Sequence, residues 1–165
     1  MFANTGLNIL PEGLFSGANS ARNYDYVFSG TNITDIPANC FNGTNATSVN
    51  AFDKNRIISI GDNGLNGLKI TAGYFSGATS LTTIGNDIFK GDIDTTNLFN
   101  DCTNLTSIGN MDFTGLLGTS GTFNNCTGLI NLSGFKDSET KLKPTINENF
   151  SVNNSTKSVS YTHLR

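Results

Sequence analysis

The residue types that hydrolytic chemistry requires are scarce in this 165-residue sequence. Ser–His and Cys–His catalysis both need an imidazole beside the nucleophile, and His163 is the single histidine. It lies in a C-terminal segment that we expect not to belong to the natural protein, for a reason given below. The sequence therefore predicts no hydrolytic triad, no catalytic residues and a protein that is not an enzyme.

Metal and acid–base chemistry have equally weak support. Cys40, Cys102 and Cys126 lack the C-x-x-C spacing of zinc sites. The cluster at 61–64 (GDNG) has neither the EF-hand spacing nor the nonapeptide of calcium-binding β-rolls. A pair of carboxylates for glycoside hydrolysis is the alternative, and its candidates are Asp92 with Asp94, or Asp53 with Asp62. Solvated turn residues explain these aspartates better, so we expect no metal site and no cofactor.

The composition excludes further classes. Charged residues make up 14% and the net charge is −3, so no basic patch indicates a nucleic-acid partner. No stretch approaches the roughly 18 consecutive apolar residues of a membrane span. The chain has 12 Phe but no Trp, which indicates that one aromatic position is reused many times.

That reuse is a repeat of about 24 residues. The first Phe series is Phe2, Phe28, Phe52, Phe75, Phe99 and Phe123. The second series is Phe15, Phe41, Leu65, Phe89 and Phe113. An aliphatic pair lies between the two series in each unit: Leu7/Leu10, Ile33/Ile36, Ile57/Ile60, Leu81/Ile84, Leu105/Ile108 and Leu129/Leu132. The pairs enclose β-branched residues, and Gly or Pro follows most of them, which is typical of very short strands.

One 24-residue unit cannot bury its apolar side chains alone, so neighbouring units must cover it. The sequence predicts a leucine-rich-repeat-like solenoid with one short parallel strand per turn, about 4.8 Å from the next. The remainder of each turn is expected to be loops and single helical turns, for example at 86–89. An all-β sandwich would not require identical side chains at a period of 24.

Three segments resemble the BspA-like leucine-rich repeats: LFNDCTNLTSIG (98–109), YFSGATSLTTIG (74–85) and TFNNCTGL (122–129). The resemblance covers residues 2 to about 132. It departs from the family pattern in the first three units, where Thr5, Thr31 and Asn55 replace the Cys three places after the Phe and the aliphatic pair begins one residue earlier. The family implies an extracellular, bacterial surface protein with a role in adhesion, and a host or neighbouring-cell protein as partner.

The domain organisation follows from where the period holds. Residues 1–132 form about five and a half regular repeats, and 133–158 form an expanded, irregular last repeat. Residues 159–165 (VSYTHLR) match the translation of a transposon adapter used to prepare sequencing libraries. We therefore expect 159–165 to be a non-native tail on a fragment of a longer protein, and the ends of the array to self-associate.

The same period places Cys102 and Cys126 side by side in successive turns. We favour two stacked buried thiols there, and a disulfide between adjacent turns is the alternative.

A partner-binding surface remains the best functional candidate. If the aliphatic pairs point inward, some residues inside them must point outward along one sheet surface, which repeat proteins commonly use to bind partners. The candidates are Thr34, Asp35, Ser59, Thr82, Thr83, Thr106, Ser107 and Asn131, here called the strand face. The simpler interpretation is a row of hydroxyls that keeps the sheet surface hydrated and binds no partner. The sequence thus predicts a protein-binding module, with a structural spacer or an accessory module of a secreted enzyme as alternatives.

Overall fold

The computed structural model describes residues 2–18, 23–47, 50–89, 94–111 and 121–129. Within them it contains six two-residue strands and no helix. The strands are β1 (Asp35–Ile36), β2 (Ala46–Thr47), β3 (Ser59–Ile60), β4 (Leu68–Lys69), β5 (Thr83–Ile84) and β6 (Ser107–Ile108). In these ranges, accordingly, there is no helix long and apolar enough to cross a membrane.

Four of the strands form one parallel sheet in the order β1-β3-β5-β6. Each residue pairs with the residue 24 positions further along: Ile36 with Ile60, Ile60 with Ile84, and Ile84 with Ile108. These four isoleucines are buried, whereas the residue before each one is exposed or half-buried. Successive side chains of a strand point to opposite faces, so the sheet has one apolar inner face and one polar outer face.

A second parallel sheet pairs β2 with β4 and was not predicted from the sequence. Ala46 lies opposite Leu68, an offset of 22 rather than 24 residues. Both side chains are buried. We expected one strand per turn, whereas the turns that contain β2 and β4 each have a second one. The signal was missed because neither residue belongs to a series with a constant period.

The bends in the chain, which we call corners, are the five-residue segments centred on a member of either Phe series. In every fully described corner except the one around Phe52, the residues two before and two after the centre have positive φ. These pairs are Gly13/Gly17, Tyr26/Gly30, Asn39/Gly43, Asn63/Gly67, Gly73/Gly77, Asn97/Asp101 and Gly121/Asn125. Two left-handed residues, one on each side of a corner, interrupt any right-handed helix there. This explains why the described residues, 86–89 included, lack the expected helical turns.

Successive backbone amides in a corner donate alternately to the next turn and to their own turn. The N–H groups of Phe75 and Gly77 donate to Leu98 and Asn100 of the next turn at 3.0 and 2.7 Å, whereas Ser76 donates to Gly73 of its own turn at 2.9 Å. The corners therefore satisfy their backbone groups without regular secondary structure, as buried backbone requires.

The core is built from stacked side chains of the two series. Rings of the first series stack in two runs, with centroids 5.7 and 5.0 Å apart from Phe2 through Phe28 to Phe52, and 5.6 and 5.4 Å apart from Phe75 through Phe99 to Phe123. Such aromatic pairs contribute about 0.5–1.5 kcal/mol each beyond the area they bury. The rings that recur in the sequence are thus neighbours in space.

Candidate functional site

The strand face lies on the outer surface of the four-stranded sheet. Asp35, Ser59, Thr83 and Ser107 occupy equivalent positions in β1, β3, β5 and β6. Thr34, Thr82 and Thr106 precede them by one residue, and the whole set is exposed or half-buried. Asn131 lies outside the described residues. The structure therefore brings together seven of the eight predicted residues, in two rows across the strands.

Hydrogen bonds within the sheet engage part of this face. The Thr82 hydroxyl donates to the Ile58 carbonyl at 3.1 Å, and the Thr106 hydroxyl donates to the Thr82 carbonyl at 3.0 Å. The Asp35 carboxylate accepts from the Thr34 hydroxyl at 2.6 Å and from the Ser59 hydroxyl. Both rows are therefore partly committed to contacts within the sheet. In the second row, formed by Asp35, Ser59, Thr83 and Ser107, the exposed hydroxyls are those of Thr83 and Ser107.

Two exposed isoleucines interrupt the hydroxyl pattern and were not predicted as site residues. Ile58 is 42% exposed and occupies the place that Thr34, Thr82 and Thr106 have in other turns. Ile9, which lies inside the Leu7/Leu10 pair, is 74% exposed. The available signal was an aliphatic residue in a row that is otherwise Thr. A lone exposed Ile is ordinary, but here each one adds an apolar contact point inside an aliphatic pair.

A groove of about 590 Å³ opens beside the irregular corner around Phe52. We call it the Tyr26 groove. It is lined by Tyr26, Ser29, Gly30, Asn50, Phe52, Asp53, Lys54, Asn55, Thr71, Ala72, Gly73 and Tyr74. The groove could not be predicted from the sequence, because Phe52 keeps its place in the series and only the backbone differs: neither Asn50 nor Lys54 adopts a positive φ.

Tyr26 stands at the rim of this groove in an unusual conformation. Its φ is 58° and it is 60% exposed. Left-handed backbone costs a residue with a Cβ about 1–2 kcal/mol, and a bulky side chain there is a genuine outlier. The equivalent place in the other described corners holds Gly, Asn or Asp. The chain therefore tolerates backbone strain at a corner that presents a large exposed ring.

The three cysteines are buried thiols, and the structure contains no disulfide between Cys102 and Cys126. The Cys102 thiol donates to the Phe75 carbonyl at 3.2 Å, and the Cys126 thiol donates to the Phe99 carbonyl at 3.1 Å. Burial raises the pKa of each of the three cysteine thiols to about 12. A thiol with so high a pKa is a poor nucleophile and a poor metal ligand.

Threonine replaces these thiols in two of the early repeats. The Thr5 and Thr31 hydroxyls donate to the Phe2 and Phe28 carbonyls of their own turn, each at 2.6 Å. A thiol reaches back to the preceding turn, whereas a hydroxyl bonds within its own turn. Both satisfy the carbonyl of a Phe in the first series. The departure from the Cys pattern at Thr5 and Thr31 thus keeps the same hydrogen-bonding role.

The described carboxylates have local structural partners. Asp53 forms an ion pair with Arg56 at 3.4 Å. Asp62 accepts hydrogen bonds from the backbone and side chain of Asn86 at 2.7 and 3.1 Å. Hydrogen bonds from Thr96 lower the pKa of Asp94, and Asp92 lies outside the described residues. Over the described ranges, no group of three or more His, Cys, Asp or Glu side chains is placed to hold a metal ion.

Comparisons with known proteins give no match for this chain, whether by protein-family model, by curated sequence or by solved structure.

Proposed function

We propose that this chain is part of a bacterial surface protein, a solenoid of BspA-like leucine-rich repeats that binds a protein partner outside the cell. The strand face is the proposed contact surface, and the activity is adhesion rather than catalysis. The observation that carries the proposal is the row formed by Asp35, Ser59, Thr83 and Ser107, which repeats across four in-register parallel strands.

The offsets between bonded backbone groups support the repeat architecture. Strand partners in the main sheet are 24 residues apart. Corner amides donate to residues 23 further along, as from Phe75 to Leu98 and from Phe99 to Thr122. Both offsets match the period of the Phe series. Contacts between each unit and the next one are what a repeat solenoid requires, and they support this part of the proposal.

The chemistry of the strand face indicates the kind of partner. Apart from Asp35 the face is uncharged, and it offers hydroxyls beside the exposed side chain of Ile58. Such a surface suits a protein that supplies hydrogen-bonding groups around a small apolar contact. It does not suit nucleic acid, whose phosphates require Lys or Arg.

A structural spacer is the second candidate. It is favoured by the hydroxyls of Thr82 and Thr106, which donate to carbonyls of their own sheet. Hydroxyls used in this way keep a sheet surface hydrated without recognising anything. An accessory module of a larger secreted enzyme remains a third interpretation, for which no contact in the described residues argues.

Charge insertion on the strand face tests the binding proposal. The variant Thr83→Lys/Ser107→Lys places two ammonium groups on the second row. Ser16→Lys/Thr79→Lys is the matched control, because it adds the same charge at exposed hydroxyl residues away from the sheet. Binding to immobilised fibronectin, fibrinogen, laminin and collagen is measured by biolayer interferometry. We expect binding to at least one of them, lost in the strand-face variant and kept in the control. If the natural chain binds none of them, the spacer interpretation is favoured. If it binds one of them and both variants bind equally well, the strand face is not the contact surface.

A further inference from the structure

The Tyr26 groove combines an exposed aromatic ring with side chains that form hydrogen bonds. Its volume of about 590 Å³ lies within the range of roughly 300–1,000 Å³ that is usual for small-ligand clefts. Turns from three successive repeats contribute to it: Tyr26 and Ser29 from one, Asn50 to Asn55 from the next, and Thr71 to Tyr74 from the third. None of these residues belongs to the strand face, so the groove is a separate site.

The irregular corner around Phe52 creates this space. In the regular corners a positive-φ pair closes the bend around the central side chain, but Asn50 and Lys54 do not adopt that conformation. The Lys54 ammonium instead donates to the Ser76 carbonyl. Lys54 is thereby held against the wall of the groove. The floor is fixed by Phe52 and Tyr74, which are both buried.

Tyr26 supplies the strongest sign of a role beyond folding. Gly and Asn are the residues best suited to a position that requires positive φ, and they occupy the equivalent positions in other corners. Tyr26 keeps the strained backbone and leaves most of its ring in solvent. A strained residue that gains little burial is a reasonable sign of function.

The lining excludes several classes of ligand. Lys54 is the one basic residue among the lining residues, and its amine is engaged, so a phosphate or nucleic acid has no basic cluster to bind. The Asp53 carboxylate and the amides of Asn50 and Asn55 make the groove too polar for a purely apolar molecule. An uncharged molecule with many hydroxyls and one apolar face fits this lining.

We infer that the Tyr26 groove binds a neutral oligosaccharide, with one sugar ring stacked on Tyr26 and its hydroxyls bonded to Asn50, Asp53 and Asn55. The C–H groups on the face of a pyranose are weakly positive, and the face of an aromatic ring is negative. Amides and carboxylates both accept hydrogen bonds from sugar hydroxyls, and amides also donate them. The site is independent of the proposed adhesion across the strand face.

The test uses the chain with uncharged hexasaccharides of glucose, N-acetylglucosamine, xylose and mannose as probes, with binding measured by isothermal titration calorimetry. Tyr26→Asn removes the ring and introduces a residue that other corners accept at positive φ. Tyr26→Phe keeps the ring. Asn97→Gly is the control at the equivalent place in another corner. We expect one class of probe to bind, a loss of at least tenfold in Tyr26→Asn, and affinities within threefold of the natural chain in Tyr26→Phe and Asn97→Gly.

Thermal melting of each variant separates loss of the ring from loss of the fold. Tyr26→Asn should melt at the same temperature as the natural chain or higher, because the strained tyrosine is replaced. Absence of binding to all four probes overturns the proposal, as does equal binding by Tyr26→Asn and the natural chain. A response of Tyr26 to a protein partner without any response to sugars would overturn it as well.

Discussion

The hydroxyl of Tyr74 holds both backbone groups of Phe52, 22 residues earlier in the chain. It accepts a hydrogen bond from the Phe52 N–H at 2.9 Å and faces the Phe52 carbonyl at 3.4 Å. In regular corners the same amide bonds to the backbone carbonyl of the residue that precedes the next Phe, as from Phe28 to Ala51 and from Phe75 to Leu98. Tyr74 occupies that place, but its side chain rather than its carbonyl accepts the bond. A phenol thus replaces a backbone contact at the irregular corner.

Removing this hydroxyl should destabilise the chain without changing the packing of the ring. Tyr74→Phe leaves the buried N–H of Phe52 without its partner, and an unsatisfied buried donor costs about 1–3 kcal/mol. Urea denaturation followed by circular dichroism measures the change. Tyr26→Phe is the matched control, because Tyr26 is mostly exposed and its hydroxyl should contribute less than about 0.5 kcal/mol. Equal stability of Tyr74→Phe and the natural chain would contradict the role of this bond.

Tyr74 also makes the stability of the chain sensitive to alkali. Burial raises its pKa from 10 to about 12, so the folded state holds the phenolic proton more tightly than the unfolded state does. The resulting stabilisation is complete below pH 10 and is lost as the pH rises from 10 to 12. Two pKa units correspond to about 3 kcal/mol. Urea midpoints at pH 8, 9, 10 and 11 should fall more steeply for the natural chain than for Tyr74→Phe. Parallel curves would count against the raised pKa.

The three cysteine thiols should react only slowly with thiol reagents while the chain is folded. With the pKa of each thiol near 12, the thiolate fraction at pH 8 is on the order of 10⁻⁴, and thiolate is the reactive form. Ellman's reagent should therefore react slowly with the folded chain and quickly with all three cysteines in urea. The urea-treated sample is its own control for reagent and concentration. A single reactive thiol in urea would instead reveal a bond between Cys102 and Cys126.

Whether a structural feature could be predicted from the sequence depends on whether its residues recur at a constant period. Four of the six aliphatic pairs predicted where strands lie, because the strands at Ile36, Ile60, Ile84 and Ile108 coincide with the second member of a pair. The pair Leu7/Leu10 was expected to mark a strand as well, but it has none, and Leu132 of the last pair lies outside the described residues. Side chains at a constant period bury the same surface in each turn, so pattern alone locates them. The family assignment, the solenoid and the partner-binding role of the strand face stay predictions.

Features that do not recur with the repeat could not be predicted from its period. The corner around Phe52 has the correct spacing, and only its backbone conformation differs. In the sequence Tyr74 is an ordinary aromatic residue, and only the structure shows that its hydroxyl faces Phe52. Tyr26 is informative only once its place is known to require positive φ. Each of these depends on three-dimensional contacts between turns rather than on residue type.

The alternation of the main sheet can be tested with a pair of adjacent residues. Ile84 is buried and pairs with Ile60 in one neighbouring strand and with Ile108 in the other, whereas Thr83 is exposed. Ile84→Ala should lower the free energy of unfolding by about 2–5 kcal/mol, since it leaves a cavity in the core. Thr83→Ala should change it by less than about 0.5 kcal/mol, as is usual for surface positions. Similar losses from both substitutions, measured by urea denaturation, would show that the strand does not present one face to the core.

The close approach of successive turns leaves no room for a side chain at Gly109. A Cβ there would lie 2.5 Å from the carbonyl carbon of Gly85 and 2.6 Å from the nitrogen of Asn86, and both atoms belong to the backbone of the preceding turn. Backbone cannot yield as a flexible side chain can, so Gly109→Ala should lower the free energy of unfolding by about 1–3 kcal/mol or more. Gly6 is the matched control, because nothing lies within 4 Å of its added Cβ and Gly→Ala at an unstrained position stabilises by roughly 0.4–1 kcal/mol. Opposite shifts in thermal melting are therefore expected from the same chemical change. If Gly109→Ala melts no lower than the natural chain, the two turns are not packed backbone to backbone, and the repeat architecture loses its main structural support.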